Sequence, residues 1–139
     1  MGISSGSCSC GEVEYSYEGD PINSVFCYCK ECQISTGSDK WFGLWIPNDN
    51  FKITKGNPLT HTRVGSSGKD MNKMFCGTCG TTVCVEVVVG GFYSVAVSTL
   101  KAAGELSPKM AIYTASAPPW AVYPAGIPKY DTLPSNLGG

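Results

Sequence analysis

The sequence predicts an all-β fold with little helix. Short segments of alternating apolar and polar residues recur along the chain, and alternation with period two is typical of strands that bury one face. Turn-forming stretches such as EGDP, PNDN, KGNP and GSSGKD separate these segments at the spacing of a sandwich or a pair of sheets. Helical periodicity is almost absent, so we expect only a turn or two of helix after Cys32 and another near STLKAAGEL.

Seven segments carry the strand pattern. In chain order they read EVEYSYE, INSVFC, WFGLWI, FKIT, THTRV, TTVCVEVVV and FYSVAV. Most are rich in β-branched and aromatic residues, which suit a pleated, half-buried surface. The later stretch SAPPWAVYPAGIPKY is rich in proline but carries Trp120, Tyr123 and Tyr130. Aromatic side chains at this density predict that the stretch packs against the body as irregular extended chain.

Length and charge limit the function classes. At 139 residues and 14.7 kDa, the chain fits a single domain over residues 1–139. Ten Lys and Arg balance eleven Asp and Glu, which argues against a nucleic-acid partner because phosphates require a basic surface. No run of 18 apolar residues occurs, and the N-terminus lacks the pattern of a signal peptide. We therefore expect a cytoplasmic protein with no membrane contact.

Eight cysteines are the most informative residues of the chain. A reducing compartment disfavours a disulfide framework, so closely spaced cysteines indicate metal binding or catalysis. Seven of them fall into three groups: Cys8 with Cys10, Cys27 with Cys29 and Cys32, and Cys76 with Cys79. Cys84 stands apart on an apolar segment, where we expect it to be a small buried hydrophobic residue.

Spacing alone allows two divisions of these cysteines between zinc ions. FCGTCG has the form of a zinc knuckle, because a glycine follows each thiolate where the turn needs positive φ. CSCG near the N-terminus can complete that site, leaving C-x-C-x-x-C as a three-thiolate zinc with an exchangeable position, as in catalytic sites. The alternative is an ordinary ribbon formed by C-x-x-C twice, from Cys29, Cys32, Cys76 and Cys79.

Four motifs together resemble the glutathione-dependent formaldehyde-activating enzyme family, also called S-hydroxymethylglutathione synthase. They are GSCSCGEVEYSYEG, FCYCKECQISTGS, FCGTCGTTV and SPKMAIYTASAPPW followed by IPKY, and they span nearly the whole chain. The resemblance implies a β-tent fold, in which zinc lies at the junction of two antiparallel sheets. It also implies two zinc ions, with a structural zinc on Cys8, Cys10, Cys76 and Cys79 and a catalytic zinc on Cys27, Cys29 and Cys32.

The resemblance implies a carbon–sulfur lyase that joins glutathione, as co-substrate, to formaldehyde. The partners would then be a small-molecule thiol and an electrophile, acted on by a monomer or a homodimer. Tyr28 and Gln33 stand where relatives often have His and Arg, and PKMAI lacks the family's histidine. An adduct of another electrophile is therefore an expected substrate as well. The alternatives are a non-catalytic zinc module that presents a protein-binding surface, and a thiol redox protein.

Candidate site residues flank the C-x-C-x-x-C motif. Tyr28 lies between two proposed ligands, as a proton donor or as a packing spacer. Thr36, Gly37 and Ser38 have small side chains that would let backbone donors approach a substrate, or they simply end a helix.

Aromatic and basic residues supply the remaining candidates. Trp45, with Trp41 and Phe42, is expected either to line an apolar pocket beside the zinc or to belong to the core. Glutathione brings two carboxylates, so we expect a cation to face it, with Arg63 as the first candidate. Lys30 and Lys73 are further candidates, and we expect His61 to be a solvated strand residue.

Overall fold

A computed structural model of the chain describes residues 3–134. Within this range the chain forms ten strands in two sheets, together with one α-helix and several short 3-10 turns. The strands are β1 (Ile3–Ser7), β2 (Glu14–Glu18), β3 (Asn23–Cys27), β4 (Trp41–Pro47), β5 (Phe51–Lys55), β6 (Leu59–Val64), β7 (Asp70–Phe75), β8 (Thr82–Val87), β9 (Phe92–Ala96) and β10 (Met110–Ile112). The helix α1 covers Lys30–Thr36, and 3-10 turns cover Asn48–Asn50, Val88–Gly90, Val97–Thr99, Ala103–Glu105 and Thr114–Ser116.

The all-β class with two sheets is confirmed. The smaller sheet has the order β1-β2-β5, and its strands are antiparallel. The larger sheet has the order β10-β3-β4-β9-β8-β7-β6. Its pairings are antiparallel except at one edge, where β10 runs parallel to β3. None of the helices in the described range has the length and apolar character needed to span a membrane.

Each of the seven predicted segments contains a strand, and three further strands were not predicted. β1 has the polar sequence ISSGS and forms because it pairs with β2 from Ile3 to Ser7. β7 contains Asp70, Asn72 and Lys73, residue types that are depleted in strands, but it is held between β6 and β8. β10 has three residues, too few to show a pattern. The segment TTVCVEVVV ends early, because Val88–Gly90 turn into a 3-10 helix.

The first hydrophobic core fills the space between the two sheets. Tyr15 and Tyr17 of β2 project from the smaller sheet, and Leu44 and Ile46 of β4 meet them from the larger sheet. Cys84 lies in this core with no exposed surface, which confirms its prediction as a buried small residue. Alternation along β4 directs the residues between these to the other side of the larger sheet.

A second core lies on the opposite face of the larger sheet. It contains Val25, Trp45 and Phe92, and the chain after β10 packs beside it through Tyr130 and Leu133. The backbone of this late segment is fixed by a hydrogen bond of 2.9 Å, in which Tyr130 N donates to Ala111 O.

The predicted packing of the proline-rich stretch is found for two of its three aromatic residues. Tyr123 packs against Tyr28 with ring centroids 4.9 Å apart and the ring planes tilted by 59°, and Tyr130 packs against the second core. Trp120 is 66% exposed, so the prediction was wrong for this side chain.

Candidate metal centres and the adjoining cavity

The four-cysteine group forms a closed cluster. The sulfur atoms of Cys8, Cys10, Cys76 and Cys79 lie within 4.8 Å of one another. Two of the Sγ–Sγ distances, Cys8 to Cys10 and Cys10 to Cys76, are both 3.7 Å. A tetrahedral zinc with Zn–S bonds of about 2.3 Å places its sulfurs about 3.8 Å apart. The four residues therefore fit a structural zinc.

A tight turn positions two of these cysteines. In the turn between β7 and β8, Gly80 has a φ of 78° and its amide donates to Cys76 O at 2.9 Å. The amides of Thr78 and Cys79 donate to Cys76 Sγ at 3.3 and 3.4 Å. Such donors stabilise a thiolate that is bound to a metal. Cys8 follows β1 of the smaller sheet, so a metal here would join the two sheets.

The three-cysteine group forms a separate cluster. The sulfurs of Cys27, Cys29 and Cys32 also lie within 4.8 Å of one another. Among the described residues, no fourth cysteine, histidine or acidic side chain joins them within that distance. Cys29 and Cys32 belong to a different cluster from Cys76 and Cys79, so the zinc-ribbon alternative is wrong.

The end of β3 and the start of α1 position these three sulfurs. Cys27 is the last residue of β3, and Cys29 is the N-cap of α1, with an extended φ of -65° and ψ of 156°. Its Sγ accepts a hydrogen bond from Cys32 N at 3.3 Å. Gln33 stabilises the loop between β3 and α1, because its side-chain amide donates to Tyr28 O and to Ser116 O, both at 2.9 Å.

Hydrogen bonding distributes charge within the three-cysteine cluster. Hydrogen bonds from Cys27 and Cys32 lower the pKa of Cys29 to about 3, with a smaller contribution from the positive charge of Arg63. The hydrogen bond to Cys29 raises the pKa of Cys27 to about 12, and the pKa of Cys32 is raised as well, chiefly by its hydrogen bond to Cys27. Hydrogen bonding within the cluster therefore favours the thiolate form of Cys29, and binding zinc would release the protons that remain on the sulfurs.

The three-cysteine cluster lines a cavity of about 750 Å³ on the outer face of the larger sheet. In a flat sheet, the five strand spacings from β3 to β6 would hold these strands about 24 Å apart. Arg63 Nε on β6 nevertheless lies 3.8 Å from Glu31 Oε1 on α1. The sheet therefore curls around the cavity and brings its far edge to the metal-ligating loop.

The cavity has a basic side and an apolar side. Lys30, His61, Arg63 and Lys73 line it, with Glu31 as the acidic residue among its lining. The apolar lining comes mainly from β3, β4, β8 and β9 and includes Val25, Trp41, Trp45, Val87 and Phe92. Tyr113 Oη and Ser66 Oγ share a hydrogen bond of 3.1 Å, which links the β6–β7 turn to the chain after β10 at the cavity wall.

Comparison with known proteins agrees with this geometry. A sequence profile described as glutathione-dependent formaldehyde-activating enzyme matches residues 3–116. The chain belongs to this family. Formaldehyde-activating enzymes act on small thiol and aldehyde substrates, so membership indicates an enzyme for glutathione adducts, and its two cysteine clusters supply the candidate metal ligands.

The fold of this chain is also found among solved structures. A crystal structure of a Rhodobacter sphaeroides protein is similar to this formaldehyde-activating family member, with a TM-score of 0.58 and 19% identity. The match covers 90% of this chain and 98% of that one, and at this identity it shows the fold alone. No protein of curated function matches the chain significantly.

Two of the predicted substrate-binding residues of this family member lie at the cavity. Trp45 and Arg63 both line it, and His61, expected to be solvated, is exposed but also belongs to its lining. Trp41 lines it too, whereas Phe42 points to the opposite side of β4 and packs against the first core.

Thr36, Gly37 and Ser38 form the end of α1 and are not part of the cavity lining. Thr36 Oγ1 donates to Cys32 O at 2.9 Å, and Gly37 N donates to Gln33 O at 2.9 Å with a left-handed φ of 71°. Ser38 Oγ donates to Lys40 O at 3.1 Å. These bonds correspond to the helix-ending turn that was the alternative interpretation.

Tyr28 is fully buried and lies outside the cavity lining. Its ring packs on Tyr123 and Phe26, and its hydroxyl makes no hydrogen bond with the described residues. Burial raises the pKa of Tyr28 to about 12. This arrangement favours the packing alternative and gives no support to proton transfer from Tyr28 into the cavity.

Two features of the site were not predicted from the sequence. The indole Nε1 of Trp41 donates to Ser94 Oγ at 3.0 Å, so the ring lies across Gly43. A glycine in the middle of a strand is the signal that a group approaches the backbone closely. Tyr113 adopts a φ of 56°, and it alone among the described non-glycine residues has positive φ. No sequence pattern indicates this conformation.

Proposed function

We propose that the protein is a zinc-dependent carbon–sulfur lyase or synthase that acts on a glutathione adduct. The adduct is S-hydroxymethylglutathione or the product of a related electrophile. The observation that carries this proposal is a three-sulfur cluster that lines a large cavity and has no fourth protein ligand within the described residues. A purely structural site has no need for an open coordination position.

The cysteines divide between two roles in this proposal. Cys27, Cys29 and Cys32 hold the catalytic zinc, and the closed group of Cys8, Cys10, Cys76 and Cys79 holds the structural one. When bound at the open site, zinc supplies an exchangeable position for the substrate sulfur or for the aldehyde oxygen.

The reaction is a reversible addition. The thiol sulfur forms a bond to the aldehyde carbon, the carbonyl electron pair moves to oxygen, and the thiol proton ends on that oxygen. The reverse reaction breaks the same carbon–sulfur bond and returns the thiol and the aldehyde. No electron acceptor or donor is needed, which distinguishes this proposal from the thiol redox alternative.

Substrate binding is assigned to the cavity lining. Arg63, with Lys73 and His61 beside it on the same sheet face, would bind the glutathione carboxylates. Trp45 would contact the rest of the adduct. Contact of the substrate with Thr36, Gly37 or Ser38 stays a prediction. The hydrogen bonds of these residues stabilise the end of α1 and do not test such a contact.

The cellular setting belongs to the same proposal. All eight cysteines are free thiols, and a reducing compartment such as the cytoplasm would keep them available for metal. We further propose that residues 1–139 form one domain, which acts as a monomer or a homodimer without a nucleic-acid partner.

The decisive experiment is native mass spectrometry combined with an exchange assay. We expect two zinc ions per chain, one of them displaced or joined by glutathione, and faster interconversion of formaldehyde and S-hydroxymethylglutathione by NMR exchange spectroscopy. Two ions that ignore the thiol, with no acceleration for any aldehyde, would instead favour the non-catalytic zinc module. A stable disulfide among Cys27, Cys29 and Cys32 in the zinc-treated protein would favour the redox alternative.

A further inference from the structure

The apolar side of the cavity forms a continuous floor that starts at the metal ligands. Cys27 is the register partner of Trp41 across β3 and β4, and the Trp41 indole reaches Ser94. Ser94 is in turn the register partner of Trp45. Trp45 stacks on Phe92 with ring centroids 4.4 Å apart. The floor therefore passes from the open cluster along β4 through two tryptophans to a stacked aromatic pair.

The length of this floor exceeds what a one-carbon electrophile requires. The four residue steps from Trp41 to Trp45 span about 13 Å at the rise of a β-strand. Val25 and Val87 extend the floor to either side, and Ile22 and Val89 line the cavity although each is more than half exposed. A hydroxymethyl group would contact only the beginning of such a surface.

Glutathione itself does not account for the floor, because the charges of the cavity lie elsewhere. Three of its basic residues, His61, Arg63 and Lys73, lie on β6 and β7, at the edge of the sheet far from β3. The fourth, Lys30, lies on α1 beside the metal ligands, so none of them stands on β4 or β9. Two carboxylates are favoured at that edge, and placing them on an apolar floor would require desolvation without a partner. The apolar floor is thus left for the other half of an adduct.

We propose that the electrophile is an aldehyde with an extended alkyl or aryl group, which lies along the floor from Trp41 to Phe92. The substrate is then the hemithioacetal that glutathione forms with this aldehyde. The carbon–sulfur bond forms as the carbonyl electron pair moves to oxygen and the thiol proton follows, so atoms and electrons balance without a further reactant. This inference rests on the proposed function and specifies its substrate class.

Stable thioethers test the floor without turnover. We would titrate the zinc-loaded protein with S-methylglutathione and S-hexylglutathione and measure both dissociation constants by calorimetry. Each methylene that is buried contributes about a factor of four in affinity. We expect S-hexylglutathione to bind at least about 30-fold more tightly, since it carries several more methylenes.

Matched valine variants assign the difference to the floor. Val87 lines the cavity opposite Phe92 in the register, whereas Val64 lies at the end of β6, 66% exposed and outside the lining. Val87→Thr should reduce the preference for the hexyl compound by about three-fold or more, and Val64→Thr should leave it unchanged. Arg63→Gln should weaken both compounds by the same factor, because it removes a partner of the shared glutathione carboxylates.

The outcomes separate this inference from the function on which it rests. Equal affinities for the two thioethers would overturn the extended floor, even if S-hydroxymethylglutathione is turned over. A hexyl preference that Val87→Thr does not change would also overturn it. If the hexyl preference appears but no glutathione adduct is turned over, the proposed lyase activity fails while the apolar site stands. If neither thioether binds, both proposals fail.

Discussion

At the scale of single residues, Gly43 determines where the Trp41 ring lies. A Cβ atom at position 43 would meet Ser94 Oγ and would come within 2.6 Å of Trp41 Nε1. A larger residue here would therefore displace the indole from the cavity floor and break its hydrogen bond to Ser94. The missing side chain of Gly43 thus contributes to the shape of the cavity.

Replacing this glycine should destabilise the protein. We expect Gly43→Ala to reduce the free energy of unfolding by about 1–3 kcal/mol, the range for overpacked sites. Urea denaturation would measure the loss, and tryptophan fluorescence would report the displaced ring. Gly104→Ala is the matched control, because no atom lies within 4 Å of its added Cβ. A loss of equal size in the control would contradict this explanation.

Cys84 should be chemically silent in the folded protein. Burial raises the pKa of the Cys84 thiol to about 12, so only about one molecule in ten thousand would carry its thiolate at pH 8. We expect no alkylation of Cys84 by iodoacetamide in the zinc-loaded protein, and complete alkylation in urea, both read by peptide mass spectrometry. Native labelling at the rate of an exposed thiol would show that this region of the core opens.

At the scale of elements, the two metal clusters depend on different local structures. The four-cysteine cluster joins the turn after β1 to the turn between β7 and β8, and thereby connects both sheets. The three-cysteine cluster uses one continuous stretch from the end of β3 to the first turn of α1. A metal in the four-cysteine cluster would stabilise the fold, because it would connect parts of the chain that are far apart in sequence. The three-cysteine cluster forms within a short segment that hydrogen bonds already hold in place.

Two cysteine variants should separate these roles. We expect Cys76→Ser to lose at least about 3 kcal/mol of folding free energy, because a structural zinc site contributes directly to folding. Cys29→Ser should retain the fold within about 1 kcal/mol but lose at least about 100-fold in exchange activity. Circular dichroism, urea denaturation and the exchange assay would be applied to both. Misfolding of both variants would show that the assigned roles are wrong.

At the scale of the whole molecule, the sequence predicts the class of fold, but it does not predict how the larger sheet curls around the cavity. Alternation identified a strand with one buried face, such as β5, and a run of apolar and aromatic residues identified β4, which contributes to both cores. β1 was missed because its polar residues carry neither signal. Cysteine spacing left two metal arrangements open, and the choice came from family resemblance. The curl that brings Arg63 to Glu31 results from pairing across many strands, which no local pattern encodes.

Removal of metal should proceed in two steps. The three-thiolate site has three protein ligands and lines a cavity, whereas the other site has four protein ligands, of which Cys8 and Cys76 are buried and Cys10 and Cys79 are exposed. The difference in ligand number is the reason to expect different affinities. We expect a chelator to remove one zinc without loss of the near-ultraviolet circular dichroism signal, and the second only as that signal disappears. Native mass spectrometry would count the ions at each step. Simultaneous loss of both ions would contradict the division into open and sealed sites.

The chain segment beyond residue 116 contributes to the cavity but not to the metal sites, and this matters for how ligand preference can change in evolution. All seven clustered cysteines occur by position 79, whereas Leu133 lines the cavity from beyond residue 116, where the family profile ends. Substitutions in that late stretch would reshape the space available to a ligand without altering any sulfur. Natural selection could therefore exchange one preferred aldehyde for another while the inherited metal chemistry stays the same.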